Sequence, residues 1–481
     1  MVSIRNRCWT SSRRLYCRDC HVPVNTPVVR EGRALLGLLA PILVSQLSQA
    51  GFGFIDTVMA GQVSPLDLAA VSLGASIWLP VVLLVSGILM ATTPLVASAR
   101  GAGRPESIPE TVHQALWLSL LLSALGILLL RNVSPVFDWL DTPARLQVMT
   151  YQYLNAIALG LPAAAIFAVL RNYCEGMGHP MPVTVISVVG LLFNIPANYV
   201  FIHGGFGIPA MGGVGCGWAS ALVLWLMTVM LIIYVLAAPA FARVRLLGHR
   251  SRPELQRLRE FLALGLPIGI AIFFEVSVFC VVAILISPLG ELQVAGHQIA
   301  LSVTSILFMI PLSLAFCMTI RIGHAYGAQD LDAILLTRRT GLIMMTVFAC
   351  VSATFIVLTR HQLTALYTSD VAVQALAADL LLFAAAYQVV DALQVGAAGS
   401  LRGLQDTQGP MVLTMVAYWV VAMPLGYTLG LTLLMGTRYG PYGFWAGLVA
   451  GLAVAAVLLN WRLGRQITLL RGRGFPVARE Y

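Results

Sequence analysis

Three carboxylates lie deep inside long apolar stretches of this sequence: Asp56, Glu275 and Asp391. A charged side chain in a lipid-embedded segment is costly, so such residues generally face the interior of a helix bundle and mark an ion or substrate path. The alternative for each is a neutral carboxyl group that is hydrogen-bonded to a neighbouring helix. Asp56 lies near the end of its apolar stretch, so we rank Glu275 and Asp391 first as groups that bind a cation or a proton.

The residues around these two carboxylates suggest how they would act. Asp391 follows Tyr387 by four residues, so the two side chains project from one face of a helix. The phenol and the carboxylate could share a proton or, with Glu275, offer oxygen ligands to Na⁺; a packing role for Tyr387 is the alternative. His297 could relay protons, or it could be a hydrogen-bonded histidine of the core.

A second polar set lies in the first half of the chain. Asn194 and Asn198 are four residues apart, one helical turn, with the helix-kinking Pro196 between them. Together with Asp56 they would line a substrate or proton path.

The elements that must position these residues are transmembrane helices. Hydrophobic residues make up 59% of the 481 positions and charged residues 10%, whereas soluble proteins carry about a quarter charged residues. The apolar blocks are long enough to cross a bilayer as helices and too long for barrel strands. Twelve spans are predicted near 34–60, 69–98, 111–131, 151–174, 180–203, 213–238, 259–287, 292–320, 336–359, 371–400, 410–434 and 442–463.

The basic residues of the chain predict its topology. All 29 are arginines, and 25 of them fall on one side when the loops are assigned alternately. Because cytoplasmic loops carry the excess of positive charge, both termini are predicted to be cytoplasmic. The net charge of +9 therefore reflects topology, and we do not expect nucleic-acid binding.

Residues 1–30 form a polar, arginine-rich segment without the apolar core of a secretory signal. Cys17, Cys20 and His21 have the spacing of a c-type haem attachment site, and with Cys8 they could bind zinc. We favour a disordered or non-native segment over either cofactor, since haem attachment would need this segment outside the cytoplasm. The other cysteines stand singly in apolar surroundings, so no disulfide framework is predicted.

The chain contains an internal repeat at an offset of 226 residues. Pro41 falls on Pro267, and Arg100-Gly101-Ala102 falls on Tyr326-Gly327-Ala328. Six helices per copy is an even number, so the copies are related by an axis along the membrane normal and face each other across a central cleft. The predicted fold is therefore an all-α integral membrane protein of two pseudo-symmetric six-helix bundles. We assign 31–240 to the first lobe, 241–258 to a cytoplasmic linker, 259–465 to the second lobe and 466–481 to a cytoplasmic tail.

No motif for nucleotide binding, zinc-dependent hydrolysis or a serine hydrolase elbow is found in the sequence. An enzyme is therefore not expected, and transport would have to use an ion gradient.

Over residues 31–465 the sequence resembles the multidrug and toxic compound extrusion (MATE) transporters, and within them the bacterial NorM-type branch. The resemblance is carried by these stretches: Phe54 to Gly61, Asn194 to Tyr199, Pro267 to Glu275, Val294 to Ala300, and Tyr387 to Asp391 with Leu401-Arg402-Gly403.

The resemblance implies a bacterial inner-membrane antiporter, expected to be monomeric and to need no cofactor. It would exchange H⁺ or Na⁺ for cationic lipophilic drugs such as dyes and fluoroquinolones. Glu275, Asp391 and Tyr387 match the family's cation site, and Asp56 matches its first-lobe aspartate. The alternative is a flippase for lipid-linked oligosaccharides or peptidoglycan precursors, which should present buried basic residues; no arginine lies in the middle of a predicted span. The sequence does not distinguish H⁺ from Na⁺ coupling or define the physiological substrate.

Overall fold

The chain forms a bundle of long helices that can cross a membrane twelve times. The computed structural model describes residues 27–139, 143–205, 207–241, 251–432 and 439–475, together with Val244 and Leu246. In this part of the chain eleven helices are long and apolar enough to span a bilayer, and a bent helix pair supplies the twelfth crossing. The predicted number of spans is therefore confirmed, while Cys8, Cys17, Cys20 and His21 lie outside the described residues.

The helices of the two halves have the following bounds. The first half contains α1 (Pro27–Val63), α2 (Pro65–Leu89), α3 (Thr92–Gly101), α4 (Ile108–Arg131), α5 (Ser134–Trp139), α6 (Ala144–Ala158), α7 (Leu161–Gly176), α8 (Met181–His203) and α9 (Val214–Ala237). The second half contains α10 (Leu255–Ile286), α11 (Glu291–Gly327), α12 (Leu331–Tyr367), α13 (Val371–Gly403), α14 (Gln408–Met415), a π-helical turn (Val416–Ala422), α15 (Met423–Leu431) and α16 (Pro441–Arg473).

One crossing is broken near its middle. Helices α6 and α7 meet at an angle of 43°. Pro162 lies in the first turn of α7, where its missing N–H group is tolerated, but it cannot donate to a preceding turn and so ends α6. At the break, a Cβ atom on Gly160 would stand 2.9 Å from the Cα atom of Ala221, so the bend is packed closely against α9.

The two halves share a hydrophobic core at one end of the bundle only. We call this the arginine-rich end; it is the end where α1 begins and where the 99–110 and 321–340 loops lie. The core there joins residues of both halves, such as Leu89 and Leu314. Toward the other, arginine-poor end, the first half has its own core around Phe137, and the second half has its own around Tyr418. The cleft between the lobes is thus closed at the arginine-rich end and open at the opposite one.

The closed end is built on a symmetric crossing of α3 and α11. A Cβ atom on Gly101 would lie 2.0 Å from the backbone oxygen of His324, and one on Gly327 would lie 1.9 Å from the backbone oxygen of Ser98. Both glycines and both partners are 226 residues apart, which is the offset of the repeat. Each lobe therefore offers the same glycine to the same position of the other, as expected for a two-fold contact.

Polar contacts between the lobes also gather at the arginine-rich end. Arg321 donates two hydrogen bonds to Glu31, from Nε to Oε1 at 2.9 Å and from Nη2 to Oε2 at 2.5 Å. Thr337 donates to the same carboxylate at 2.7 Å. Beside them, the Gln114 amide donates to the backbone oxygen of Arg252 at 2.8 Å. Paired charges of this kind fix how the two lobes meet.

Replacing Glu31 with glutamine should loosen this closed end. The variant loses the paired charge that α1 presents to α11, and a hydrogen bond to a charged partner is worth about tenfold or more in an equilibrium. We expect a membrane-impermeant maleimide to label a cysteine at position 340 about tenfold faster, because Thr340 is buried beside Gly32 of the other lobe. The matched control is Glu254→Gln, since Glu254 pairs with Arg257 of its own segment. Equal labelling rates in the two variants would contradict the assignment.

Candidate functional site

The acidic residues of the second lobe form one cluster on α10 and α13. Glu275 is half-buried on α10, and its Oε1 atom accepts a hydrogen bond from the Tyr418 hydroxyl at 3.3 Å. Asp391 on α13 is fully buried, and neither of its carboxylate oxygens has a hydrogen-bond partner. The two acids are close enough for their charges to interact. A buried carboxylate without a partner is costly as a bare charge, so Asp391 has reason to hold a proton or a cation.

Tyr387 belongs to the same cluster but makes no hydrogen bond to Asp391. Its ring lies edge-on to Phe279 and to Trp445, with centroids 6.2 and 6.3 Å apart. Helical spacing brings Tyr387 and Asp391 to one face as predicted, while the aromatic contacts hold the phenol away from a direct bond. The packing role and the ligand role are compatible, because the ring is fixed and the hydroxyl is left for a shared ion.

His297 lies one layer behind the cluster. It is 1% exposed, and its Nδ1 atom accepts a hydrogen bond from the indole of Trp445 at 3.2 Å. An indole N–H can only donate, so Nδ1 carries no proton in this arrangement, and Nε2 has no partner. His297 is therefore a hydrogen-bonded buried histidine that reaches Tyr387 through Trp445.

In the first lobe the predicted polar set is assembled around Asp56. Its Oδ1 atom accepts from the Asn198 amide at 2.7 Å, and its Oδ2 atom accepts from Ser220 at 2.6 Å. The same Asn198 amide donates to Asn194 at 3.0 Å. Asp56 thus has a partner on each oxygen, in contrast to Asp391.

Three residues of these two clusters did not enter the sequence prediction: Ser220, Tyr418 and Trp445. Trp445 occupies the repeat position of Trp218, at the 227-residue offset, so a signal for it existed. Ser220 and Tyr418 are brought to their carboxylates across 164 and 143 residues of chain, and no local pattern marks them.

One expectation about basic residues is wrong. Arg171 was counted among the arginines of one side, but it is only 8% exposed, and its Nη1 atom donates to Gln49 at 2.9 Å, midway along α1. Its Nε atom lies 3.9 Å from the carboxylate of Glu175, which is also buried. A buried arginine that is matched by an acid adds no net positive charge, so it does not create a site for a pyrophosphate.

The chemistry that the second-lobe cluster offers is oxygen ligation and proton exchange. Two carboxylates and two phenols meet there, and oxygen ligands suit hard cations such as Na⁺. Within the described residues no group of three histidine, cysteine, aspartate or glutamate side chains is placed to hold a metal ion. A transition-metal centre is thus not indicated in this part of the chain.

The fold and the two polar clusters define a two-lobed membrane transporter with acidic groups buried in its lobes. The sequence profile of the MatE family matches the chain twice, over residues 41–200 and 267–428. The chain therefore belongs to the MatE family, and the two matches begin 226 residues apart, as the internal repeat predicted.

Curated relatives place the chain in the NorM-type branch of this family, whose members are transporters and not enzymes. It is 48% identical over 435 residues to the probable multidrug resistance protein NorM of Acinetobacter baylyi, covering 90% of this chain and 96% of the relative. It is 46% identical to the multidrug resistance protein PmpM of Pseudomonas aeruginosa, covering 90% and 91%. The fold matches the crystal structure of the eukaryotic MATE transporter AtDTX14 with a TM-score of 0.84 at 20% identity, covering 93% of this chain and 100% of that one.

Proposed function

We propose that this protein exports cationic, lipophilic compounds across the bacterial inner membrane in exchange for H⁺ or Na⁺. Multidrug efflux follows from its family and from relatives that are named multidrug resistance proteins. The observation that carries the proposal is Asp391, a fully buried carboxylate without a hydrogen-bond partner. Such a group favours a bound cation or proton over a bare charge.

In the proposed mechanism, drug and coupling ion compete for the negative charge of Glu275 and Asp391, with Tyr387 contributing a phenolic oxygen. Ion binding neutralises the cluster and discharges the drug; ion release restores the charge that binds the next drug. Asp56, Asn194 and Asn198 would line a polar path in the first lobe. His297, behind Trp445, would support the cluster or relay a proton.

The lobes would alternate between two states. With the arginine-rich end in the cytoplasm, together with both termini, the arrangement described here faces outward, because its cleft is closed at that end. The reciprocal state would require the contacts around Glu31 and Gly101 to separate. We assign 31–240 and 259–465 to the two lobes, 241–258 to the linker and 466–481 to the tail. One chain contains both lobes of the cleft, which supports a monomer as the transporting unit.

The decisive experiment is counterflow of a labelled cation in proteoliposomes that contain the purified protein. Ethidium uptake would be followed under an imposed pH gradient and, separately, under an imposed Na⁺ gradient. The proposal expects one gradient to drive accumulation several-fold above liposomes that lack protein. Exchange of labelled for unlabelled ethidium without any response to either gradient would contradict ion coupling while leaving transport itself intact.

A further inference from the structure

The span formed by α14 and α15 is interrupted by the π-helical turn Val416–Ala422. Pro424 lies immediately beyond this turn and has no N–H group, so it cannot bond to the carbonyl four residues earlier, that of Val420. A widened turn accommodates this loss in the helix ladder. Turns of this kind are rare and are frequently found at functional sites.

The π turn directs two consecutive side chains at the same neighbouring helix. The Tyr418 hydroxyl donates to the side chain of Glu275, and the Trp419 indole donates to the backbone oxygen of Phe274, both at 3.3 Å. The rings of Phe274 and Trp419 also meet edge to face, with centroids 6.5 Å apart. In a regular α-helix, consecutive side chains diverge by about 100°, so a wider turn helps both to reach α10.

Tyr418 contacts the half-buried carboxylate from a fully buried position. It is 0% exposed, so no bulk water competes for its hydroxyl. The other groups that interact electrostatically with Glu275 are Asp391 and Tyr387 from α13, together with Arg402 from the same helix. Tyr418 is the group that touches Glu275 by a hydrogen bond, and it occupies one of the two carboxylate oxygens.

We propose that Tyr418 is a positioning residue for Glu275, delivered by the π-helical turn, which holds the carboxylate in the orientation that binds the coupling ion. This rests on the coupling role proposed for Glu275. A phenol that donates to the charged carboxylate stabilises its ionised, ion-binding form relative to its protonated form. Removing the hydroxyl therefore weakens Na⁺ binding and strengthens proton binding at the same carboxylate.

The test is ion competition against a bound fluorescent cation in the purified, full-length protein. Ethidium would be bound to protein in nanodiscs and displaced by Na⁺ at constant pH or by protons at constant Na⁺. Tyr418→Phe keeps the ring and removes only the hydroxyl. The matched control is Tyr442→Phe, since Tyr442 makes the same 3.3 Å contact to a carboxylate, Asp379, on the exposed side of the second lobe.

For Tyr418→Phe we expect the half-displacing concentration to change about tenfold, upward for Na⁺ and downward for protons, with the maximal amount of bound ethidium unchanged. Tyr442→Phe should match the wild type. An unshifted midpoint in Tyr418→Phe, or a loss of ethidium capacity at an unshifted midpoint, would overturn the proposal.

Glu275→Gln separates this inference from the proposed function. If that variant still shows wild-type ion competition, the coupling role of Glu275 itself is wrong. If it abolishes competition while Tyr418→Phe leaves the midpoint in place, only the positioning role fails. As a second structural probe, Trp419→Phe removes the indole N–H group that anchors the π turn to Phe274, and it should shift the midpoint in the same direction by a smaller factor.

Discussion

Ethidium efflux by an Asp391→Asn variant should fall to the background of cells that lack the transporter, at unchanged expression. The carboxylate is fully buried and has no hydrogen-bond partner on either oxygen, so its charge is available to a drug or a coupling ion. Asparagine preserves the shape of the side chain but can carry neither a negative charge nor an exchangeable acidic proton. Glu275→Gln should behave in the same way.

A change from aspartate to asparagine at another position of the same helix is the appropriate control. Asp379 lies on α13 three turns before Asp391, is exposed, and contacts Tyr442. Asp379→Asn should retain efflux within about twofold, as expected for an exposed polar contact of small energetic value. Wild-type efflux by both Asp391→Asn and Glu275→Gln would contradict the assignment of the second-lobe cluster.

Replacing Gly327 with alanine should drive the protein out of the state described here. The new Cβ atom would lie 1.9 Å from the backbone oxygen of Ser98, whereas carbon and carbonyl oxygen normally approach to about 3.3 Å. The obstacle is backbone, so it cannot be relieved by a side-chain rotation. The lobes would have to part by more than about 1 Å, and close-packed interfaces do not deform by that amount without repacking.

The measurement is the distance between spin labels at the arginine-poor end of a cysteine-free background, placed at the exposed positions Val63 and Leu366 of the two lobes. Gly327→Ala should shorten the main distance, because opening at one end closes the other, and Gly101→Ala should do the same. Gly464→Ala is the control, since nothing lies within 4 Å of its Cβ position. Unchanged distances in both interface variants would show that the crossing does not control the transition.

Much of the fold was predictable because hydropathy and repetition are local or linear signals. The twelve spans follow from blocks of apolar residues, and Gly101 and Gly327 were already aligned by the 226-residue offset. The pairing of Tyr387 with Asp391 on one face also follows from helical spacing alone. These features depend on positions along the chain, which the sequence states directly.

The remaining features depend on helix rotation and on contacts between distant segments. Tyr418 reaches Glu275 because the π turn changes the phase of its helix, and a period of 3.6 residues gives no warning of this. Arg171 lies five residues from the end of α7, where an arginine commonly reaches for water, but Gln49 and Glu175 hold it inside. Tertiary partners decided the outcome at both positions.

The reciprocal contact of Gly101 and Gly327 is the arrangement that two identical six-helix chains would make around a dimer axis. In such a dimer every substitution would appear twice, so an acid placed in one lobe would appear in the other as well. Fusion into one chain removes that obligation. Asp391 could lose its partners while Asp56 kept Asn198 and Ser220, so one lobe is free to exchange ions while the other retains a fixed polar network.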